Sequence, residues 1–420
     1  MISNILLKLI RKFDDIFPET IVFLRIKLFR LFVYVFSKKT VSYEGLIALE
    51  SDNHHIFFGY YDITPFNQDD KKILALRAPL INRHPSVEDY VEVGFFNINA
   101  PQEFNSLGKT NTWCWQQGCR LQWYSRGENQ VIYNCLIDGT YGAVIRDILT
   151  GRIIKEIRRS LYSVSQDGNW GLSLNFSRLQ RLRPGYGYEV LPDETINNRL
   201  PHDSGIELIN IKTEKIEPLF SLKDISKIEP HPSMAGAEHY FNHIMFNPSG
   251  KRFLFLHLWQ KGRRRYSRLF TADRNGSRLS LLNNSGSVSH YNWASENEIV
   301  LYSQIKNRGY SYAIFNDSSG SIKFFNKNVP KTDGHPILLN NSDILITDTY
   351  PDMCHYRNLV LYKIKEDKVI ILKRFDSPID FNHEFRCDLH PRISNDRKIV
   401  AVDRIINKRR CITLIPLNYK

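Results

Sequence analysis

The sequence predicts an all-β fold, a seven-bladed β-propeller with an N-terminal amphipathic helical segment, and three observations carry this prediction. Seven times along the 420 residues, a polar or aromatic residue precedes a short apolar strand, a turn and a second strand. The turns are rich in Asn, Asp, Ser and Gly, which favour tight connections between strands. Four of the leading residues are histidines. Repeats of about 40–50 residues built from short strands are typical of a β-propeller.

The elements follow in chain order. Residues 1–40 are expected to form the basic amphipathic segment, and the propeller is expected over residues 41–420. Its first unit opens at the Tyr-Tyr-Asp run 60–62, the second at Arg120 and the third at Ser160. The last four units open at the histidines His243, His290, His335 and His390.

Closure of the ring needs chain from both ends. The last unit contains only three strand-like runs, whereas residues 41–49 form a strand without a partner of its own. We expect this strand to complete the last blade, which removes exposed sheet edges. The third unit carries an inserted loop at about residues 176–206, and loops of that length are usually functional or disordered.

The formal net charge of +13 indicates a polyanionic partner. Nucleic acid, an anionic membrane surface and an acidic oligo- or polysaccharide all fit, and a basic protein without such a partner is the alternative. DNA-binding motifs are missing and the basic residues form no single run, so no nucleic acid is expected.

No dinucleotide fingerprint, phosphate-binding P-loop, nucleophile elbow or zinc-protease helix motif occurs, which argues against redox chemistry with a nucleotide cofactor and against nucleotide hydrolysis. The six cysteines form no disulfide framework and indicate a reducing compartment.

The apolar N-terminal segment is interrupted by charge. Arg25, Lys27 and Arg30 divide the stretch 21–36, whereas a membrane-spanning helix needs about 20 apolar residues in a row. A basic helix lying on an anionic membrane surface fits better. Packing on the side of the propeller and a true membrane span are the alternatives. With no secretory cleavage site, the expected location is the cytoplasm, peripheral on the inner membrane.

The leading histidines predict a metal site. A propeller brings equivalent positions of its blades to one axis, and His290, His335 and His390 occupy the same repeat position. Imidazole is the commonest transition-metal ligand, so these three could hold a divalent ion such as Mn, Fe, Zn or Ni. The alternative is that each histidine packs at the start of an inner strand and hydrogen-bonds to its neighbour.

Candidate catalytic residues accompany this set. Tyr61 and Asp62 open the first unit and should face the same end of the axis as His243. A tyrosine or histidine can act as general base if a nearby cation lowers its pKa. Aromatic packing of the first blade is the alternative for the tyrosines, and it fits Asp62 less well because acids avoid burial without partners.

Candidate substrate-binding residues are basic or amide side chains near the axis and in the insertion. Arg178 lies in an arginine- and tyrosine-rich stretch suited to an anionic sugar such as a uronic or sialic acid. Arg386 is a natural clamp for a carboxylate, with an ion pair to Asp388 or Glu384 as its alternative. The remaining candidates are Gln117, Arg120, His55 and, as a loop residue facing the ligand, His239.

The histidine-led units and their turns resemble the TolB-like and oligogalacturonate-lyase-like seven-bladed propellers over about residues 41–418. Oligogalacturonate lyases hold manganese with histidines and a glutamine in the central cavity and eliminate across a uronic acid. By position, the resemblance implies His290, His335 and His390 as metal ligands and His243 and Arg386 as substrate-facing residues. The DGHP and DLHP runs do not reproduce the closely spaced Gln and His ligands of the lyases, and no export signal precedes them.

These observations predict a bacterial, membrane-associated, carbohydrate-active protein that works on an acidic glycan in surface-polysaccharide metabolism by metal-assisted β-elimination, as a polysaccharide lyase. A glycosyltransferase or accessory protein of surface-polysaccharide biosynthesis is one alternative. A non-catalytic propeller scaffold that binds protein or polysaccharide is the other. An enzyme should gather its histidines around a polar axis, whereas a scaffold would fill the axis with apolar side chains.

Overall fold

The structure, a computed structural model, describes residues 45–124, 129–339 and 343–418. The described residues form seven antiparallel sheets of four strands each, which confirms the seven-bladed β-propeller. The predicted helical segment 1–40 lies outside the described residues. Among the helices that are described, none is long and apolar enough to cross a membrane.

The strands of each blade follow one another in the chain from the axis outward. The first blade contains β2 (His55–Phe57), β3 (Lys72–Ala78), β4 (Val91–Asn97) and β5 (Ala100–Thr110). The second contains β6 (Gln122–Trp123), β7 (Gln130–Ile137), β8 (Thr140–Asp147) and β9 (Ile153–Ile157). The third contains β10 (Ser163–Val164), β11 (Trp170–Ser173), β12 (Gly205–Asn210) and β13 (Ile216–Ser221). The next two contain β14 (Glu238–Phe246), β15 (Arg252–Lys261), β16 (Arg264–Asp273) and β17 (Ser280–Asn283); and β18 (Val288–Trp293), β19 (Glu298–Ile305), β20 (Gly309–Asn316) and β21 (Ile322–Phe324). The sixth contains β22 (Ile337–Leu338), β23 (Ile344–Asp348), β24 (Tyr356–Lys363) and β25 (Lys368–Asp376).

The seventh blade combines both ends of the described chain. Its inner strands are β26 (Arg392–Ile393), β27 (Ile399–Ile406) and β28 (Arg409–Pro416), and β1 (Ile47–Leu49) pairs with β28 as the outermost strand. Leu49 of β1 is fully buried. The outer strand of the last blade therefore comes from the start of the propeller, and the ring is closed by backbone hydrogen bonds.

The core lies between the blades, because both faces of most sheets are covered by neighbouring sheets. In β15 the residues from Arg252 to Trp259 are all buried, and Phe255 stacks on Phe270 of β16 at 5.3 Å between ring centroids. Strands covered on both faces become continuous apolar runs and lose the alternation of half-exposed strands.

The insertion is partly helical. Helix α1 (Phe176–Leu182) follows β11, and the Asn175 side chain accepts a hydrogen bond from the backbone N–H of Arg178 as its N-cap. Helix α2 (Leu222–Lys227) lies in the connection from β13 to β14 and is capped in the same way by Ser221. Single-turn 3₁₀ helices occur at Pro232–Met234 and His383–Phe385.

Three inner strands begin earlier than the repeat pattern indicates. β2 begins at His55, ahead of the Tyr-Tyr-Asp run, β14 begins at Glu238, ahead of His243, and β18 begins at Val288, ahead of His290. The pairing of β14 with β15 shifts between Asn242 and Met245, and His243 has a φ of 53°. A bulge of this kind bends a strand and re-aims a side chain, and here it directs His243 to the axis.

Candidate active site

The axis is lined by histidine rings from four blades and by tyrosine rings from the first blade. The ring of His335 lies 4.1 Å from that of His290 and 4.4 Å from that of His390, centroid to centroid. The ring of His243 lies 6.5 Å from His290. Tyr60 stacks on His243 at 4.8 Å and contacts His390 at the same distance. The structure therefore brings together the four histidines that the repeat pattern singles out.

Three of these imidazoles are fixed through the same ring nitrogen. Nδ1 of His335 donates to Asp348 at 2.8 Å, Nδ1 of His290 donates to Asp333 at 3.0 Å, and Nδ1 of His390 donates to the Gly59 carbonyl at 2.7 Å. Carboxylates and carbonyls only accept hydrogen bonds, so the hydrogen of each neutral ring is on Nδ1. The lone pair of each ring is then on Nε2. This anchoring is the one that metal-binding histidines usually have.

Nε2 of His390 is the atom best placed to bind a cation. It is buried and has no hydrogen-bond partner among the described residues. One ligand atom each of His335, His390 and Asp388 lie within 4.8 Å of one another. An orphaned imidazole lone pair beside a second imidazole and a carboxylate is a donor set that fits a divalent transition metal.

Burial keeps His243, His335 and His390 neutral. It lowers the pKa of His390 and of His243 well below the usual value, and the neighbouring histidines add to the effect. Burial also lowers the pKa of His335, which Asp348 opposes without overcoming. Neutral imidazole is the form that binds metals and accepts protons.

Asp388 is ionised, and two arginines already balance its negative charge. Burial works against its charge, but Arg386 and Arg357 outweigh burial and hold the pKa of Asp388 well below its usual range. Arg357 lies 2.7 Å from one carboxylate oxygen and Arg386 lies 2.8 Å from the other. The sequence suggested Arg386 either as a binding residue for a substrate carboxylate or as the partner of a structural ion pair, and the structure shows the ion pair with Asp388. A metal would therefore rely on the imidazoles and would compete with two arginines for Asp388.

His243 belongs to a polar network with Tyr60, Tyr162 and Asn242. The Tyr162 hydroxyl donates to Asn242 Oδ1 at 3.0 Å and lies 3.4 Å from His243 Nδ1. Nε2 of His243 lies 3.3 Å from the Tyr60 hydroxyl and 3.3 Å from the Asn242 amide nitrogen, which can only donate. These contacts assign the hydrogen to Nδ1 and the lone pair to Nε2.

A cationic pocket lies above the axis. Its volume is about 440 Å³, and its lining residues are Arg183, Pro184, Tyr186, Arg265, His383, Glu384 and Arg386. Tyr186 separates the pocket from the histidines. Its ring centroid lies 5.6 Å from that of His243, and its hydroxyl accepts a hydrogen bond from Arg386 at 2.6 Å. Arg183 stacks over the same ring at 4.8 Å. Three arginines at one pocket suit a ligand with carboxylate groups.

Tyr61 reaches the axis with its ring, but its hydroxyl is used by the backbone. The hydroxyl donates to the Tyr291 carbonyl at 2.8 Å and accepts from the Tyr291 N–H at 3.0 Å. The ring lies 4.8 Å from that of His335. Tyr61 therefore links the first and fifth blades, and Tyr60 is the tyrosine whose hydroxyl meets a histidine.

Asp62 and Arg120 form a buried ion pair. The carboxylate accepts two hydrogen bonds from the guanidinium at 2.7 and 3.1 Å, and both side chains are at most 3% exposed. Gln117, close by, donates to the Tyr162 hydroxyl at 2.7 Å, and its side-chain carbonyl oxygen is buried and has no partner in the described part of the chain. Asp62 and Arg120 thus join the first two blades, while Gln117 reaches the His243 network.

Arg178 organises the insertion and does not reach the axial pocket. Its guanidinium donates to the backbone carbonyls of His239, Asn198 and Arg199 and to the Thr195 hydroxyl, at 2.7 to 2.9 Å. The side chain is 1% exposed. With its donors engaged in this way, it fixes the insertion to β14.

His239 lies within β14, whereas the sequence suggested a loop. Arg268 Nε donates to His257 Nδ1 at 3.0 Å, so the hydrogen of neutral His257 is on Nε2 and points to His239 Nδ1 at 2.9 Å. His239 then donates from Nε2 toward the Met234 carbonyl at 3.4 Å. This buried chain of hydrogen bonds ties α2 and its following turn to the fourth blade.

His55 lies at the start of β2 and away from the histidine cluster. Its Nδ1 accepts from the Arg410 backbone N–H at 3.0 Å, and its ring meets Trp115 and Phe385 edge-on at 5.6 and 5.5 Å. Burial, helped by Arg410, lowers the pKa of His55 to about 3. These contacts give it a packing environment at the junction of the first and last blades.

Several site residues were indicated by the sequence only as members of a larger set. Asp388 is two residues before His390, and the sequence indicated it only as an ion-pair partner of Arg386. Arg183 and Tyr186 lie in the basic, aromatic insertion, but nothing in their order tells which arginine faces the pocket. Tyr60 and Tyr61 are adjacent in the sequence, and only the structure shows that the Tyr60 hydroxyl meets His243 while that of Tyr61 bonds the Tyr291 backbone.

Together, fold and site define the class of this protein: a seven-bladed β-propeller with a polar, histidine-lined axis beneath a cationic pocket. No protein family model matches the chain, and no curated protein matches it. In fold, the chain is similar to oligogalacturonate lyases, as the sequence resemblance predicts.

Three solved structures illustrate the likeness. An oligogalacturonate lyase in complex with manganese has a TM-score of 0.63 and 11% identity, over 90% of this chain and 95% of that chain. An oligogalacturonate lyase from Vibrio parahaemolyticus has a TM-score of 0.62 and 12% identity, over 91% and 96% of the two chains. The β-propeller domain of the trilobed protease from Pyrococcus furiosus has a TM-score of 0.50 and 9% identity, over 88% and 97%. At these identities, the comparisons define the fold alone.

Proposed function

We propose that this propeller is a polysaccharide lyase that binds a divalent transition metal at its axis and cleaves an acidic oligosaccharide by β-elimination. The observation that carries the proposal is the set of three axial imidazoles, His290, His335 and His390, each anchored through Nδ1 with its lone pair on Nε2. The manganese in the lyase structure of the same fold supports the choice of metal, and its oligogalacturonate name supports the choice of substrate.

The metal would be held by His335 and His390, whose ligand atoms lie within 4.8 Å of each other and of Asp388, and His290, whose ring lies 4.1 Å from that of His335, would join them. When bound, it would neutralise the carboxylate of a uronic acid and acidify the adjacent C–H. The arginines of the pocket would orient the chain. Arg183 and Arg386 flank Tyr186 on the path from the pocket to the axis, so they can hold carboxylates of neighbouring sugars.

His243 and Tyr60 would carry the protons. His243 is neutral and has its lone pair on Nε2, so it can take the proton from the carbon next to the carboxylate. Burial, helped by Tyr61, raises the pKa of Tyr60 well above its usual value, which keeps its hydroxyl protonated as a donor. The C–O bond to the leaving sugar breaks, a C=C bond forms, and the leaving oxygen takes the Tyr60 proton. The 3.3 Å contact between the two side chains returns the proton from His243 to Tyr60.

The polar axis also bears on the scaffold alternative. Histidine, tyrosine, aspartate and arginine side chains meet there, and a buried polar atom without a partner, such as Nε2 of His390 among the described residues, costs folding free energy unless a ligand engages it. We therefore favour the lyase over a scaffold and over a transferase that would use the same pocket.

The test measures metal content and product together. We expect near-stoichiometric transition metal in the wild type after incubation with manganese, and its loss in His335→Ala/His390→Ala. The exposed histidine variant His202→Ala should retain the metal. Ultraviolet absorbance of the conjugated double bond in unsaturated uronic acids reports elimination from galacturonate oligomers and other uronic acid oligomers. Absence of metal in the folded wild type would refute the metal site, and metal without any elimination product would leave transfer or binding as the function.

A further inference from the structure

The hairpin between β15 and β16 carries four cations, one of which lines the cationic pocket above the axis. We call it the basic hairpin and define it as Lys261, Arg263, Arg264 and Arg265. All four side chains are exposed, and Gly262, with a φ of 59°, makes the turn. Arg265 is itself a lining residue of the pocket, beside Arg183 and Arg386. The basic hairpin thus continues the cationic lining of the pocket onto the surface.

The charges of the basic hairpin have no acidic partners. Among the described residues, none of its four cations takes part in an ion pair. Lys261 is paired directly with Arg264 in the sheet register, and Gln260 with Arg265. Like charges opposite each other destabilise a strand pair. The nearest acid across the sheet, Glu238 opposite Gln260, is held by Arg181 at 2.5 Å. This arrangement costs stability in the free protein and is relieved by an external anion.

The pocket is too small to enclose a long chain. Its volume of about 440 Å³ lies at the lower end of small-molecule sites, which enclose ligands of drug size. A longer oligosaccharide must leave it across the rim. The rim at Arg265 offers guanidinium groups, whose planar forks match carboxylates in two-point contacts.

We propose that the basic hairpin is a distal subsite that binds the carboxylates of acidic oligosaccharides extending beyond the axial pocket, and that it makes the protein prefer long chains. This inference rests on the proposed function for its substrate class. The repeating anion is a uronic acid chain, with one carboxylate for each sugar. The subsite adds affinity and contributes nothing to the proton transfers at the axis.

The test compares charge reversal on two faces. Arg263→Glu/Arg264→Glu changes the basic hairpin. Lys212→Glu/Lys251→Glu is the matched control, since both lysines are exposed in turns at the opposite ends of the strands and have no ion pair among the described residues. Kd for galacturonate oligomers of two and eight sugars is measured by calorimetry, and KM and kcat are measured on the same oligomers.

We expect the hairpin variant to raise Kd and KM for the octamer by about tenfold, to leave kcat unchanged, and to change the dimer by less than about twofold. The control variant should match the wild type on both. Equal losses on dimer and octamer, or no loss on either, would overturn the subsite. Loss of binding to vesicles of anionic phospholipid, with octamer affinity unchanged, would assign the basic hairpin to membranes and overturn it as well. If no elimination occurs with any protein while the Kd pattern holds, the subsite stands and the lyase reaction fails.

Discussion

Asp62 is the carboxylate on which the stability of the first two blades depends. Replacing Asp62 by asparagine leaves Arg120 as a buried charge without a counterion, and breaking such a pair costs about 3–5 kcal/mol of unfolding free energy. Urea denaturation of Asp62→Asn should show this loss. Asp52→Asn is the control, because Asp52 is 93% exposed in its ion pair with Arg409 and should lose about 1 kcal/mol or less. A variant of Asp62 with wild-type stability and no activity would instead make Asp62 part of the reaction.

Residue partners could be predicted only where the repeat itself supplies them. Asp348 is 13 positions after His335, at the end of the second strand, and the two side chains do bond. Asp403 is 13 positions after His390 but pairs with Arg392 at 2.7 Å. His390 turns to Gly59 because closure of the ring brings the first blade beside the last. A contact within one blade recurs at a fixed spacing and can be predicted from the sequence. A contact between residues of different blades depends on how the ring closes and cannot be predicted in this way.

The outer strand of the last blade should determine how firmly the ring is closed. Two truncated chains isolate it, one beginning at Gly45 and one beginning at Glu50, so that only the second lacks β1. Loss of the β1 pairing with β28 exposes the edge of β28 and removes the buried Leu49, which alone is worth about 2 kcal/mol. We expect the shorter chain to melt at a lower temperature and to aggregate more readily. Equal melting temperatures would mean that β1 contributes nothing to closure.

A second element-scale feature is the tie between three loops on the pocket face. His84, in the connection from β3 to β4, meets Glu384 at 2.6 Å and Glu189 of the insertion at 3.1 Å. Hydrogen bonding to Glu384 raises the pKa of His84 against the effect of burial. The tie is therefore complete below the unfolded pKa of about 6.5 and is lost as the pH rises through the higher folded value.

His84→Ala should accordingly lose more stability in acid than in base. Because His84 is partly exposed, the solvent-screened difference is at most about 1 kcal/mol. Urea denaturation at about pH 6 and about pH 9 measures it. His202→Ala, which replaces an exposed histidine of the insertion, should show no difference between the two conditions. A larger loss for His84→Ala in base would contradict the ion pairs.

The elements themselves were predictable to different degrees. The turn-rich spacing and the unpaired strand predict the number of blades because those signals are local. The bulge in β14 and the helix in the insertion escaped the prediction, since one depends on pairing with β15 and the other on burial against β14. His239 was expected in a loop for the same reason: a strand that continues through a bulge looks like two segments in the sequence.

At the scale of the whole molecule, buried neutral histidines should make the fold sensitive to acid. Burial lowers the pKa of His239 to about 4 and of His55 to about 3, and, helped by His239, it lowers that of His257 well below its usual value. In the unfolded chain these groups take up protons near pH 6.5, about where free histidine titrates. Below that pH the unfolded state binds more protons than the folded one, so stability falls as the pH falls.

Each such group lowers the unfolding free energy by up to about 1.4 kcal/mol per pH unit between about pH 6.5 and its folded pKa. We therefore expect urea denaturation to give a lower unfolding free energy at about pH 5.5 than at about pH 7.5, by roughly 2 kcal/mol or more. His55→Phe should reduce this pH dependence, because phenylalanine suits the aromatic surroundings of Trp115 and Phe385 and takes up no proton. His202→Gln, at an exposed position, should leave the pH dependence as it is. Constant or rising stability toward acid would mean that these imidazoles are reached by water and charged in the folded protein, and the neutral hydrogen-bond chain from Arg268 through His257 to His239 would then be wrong.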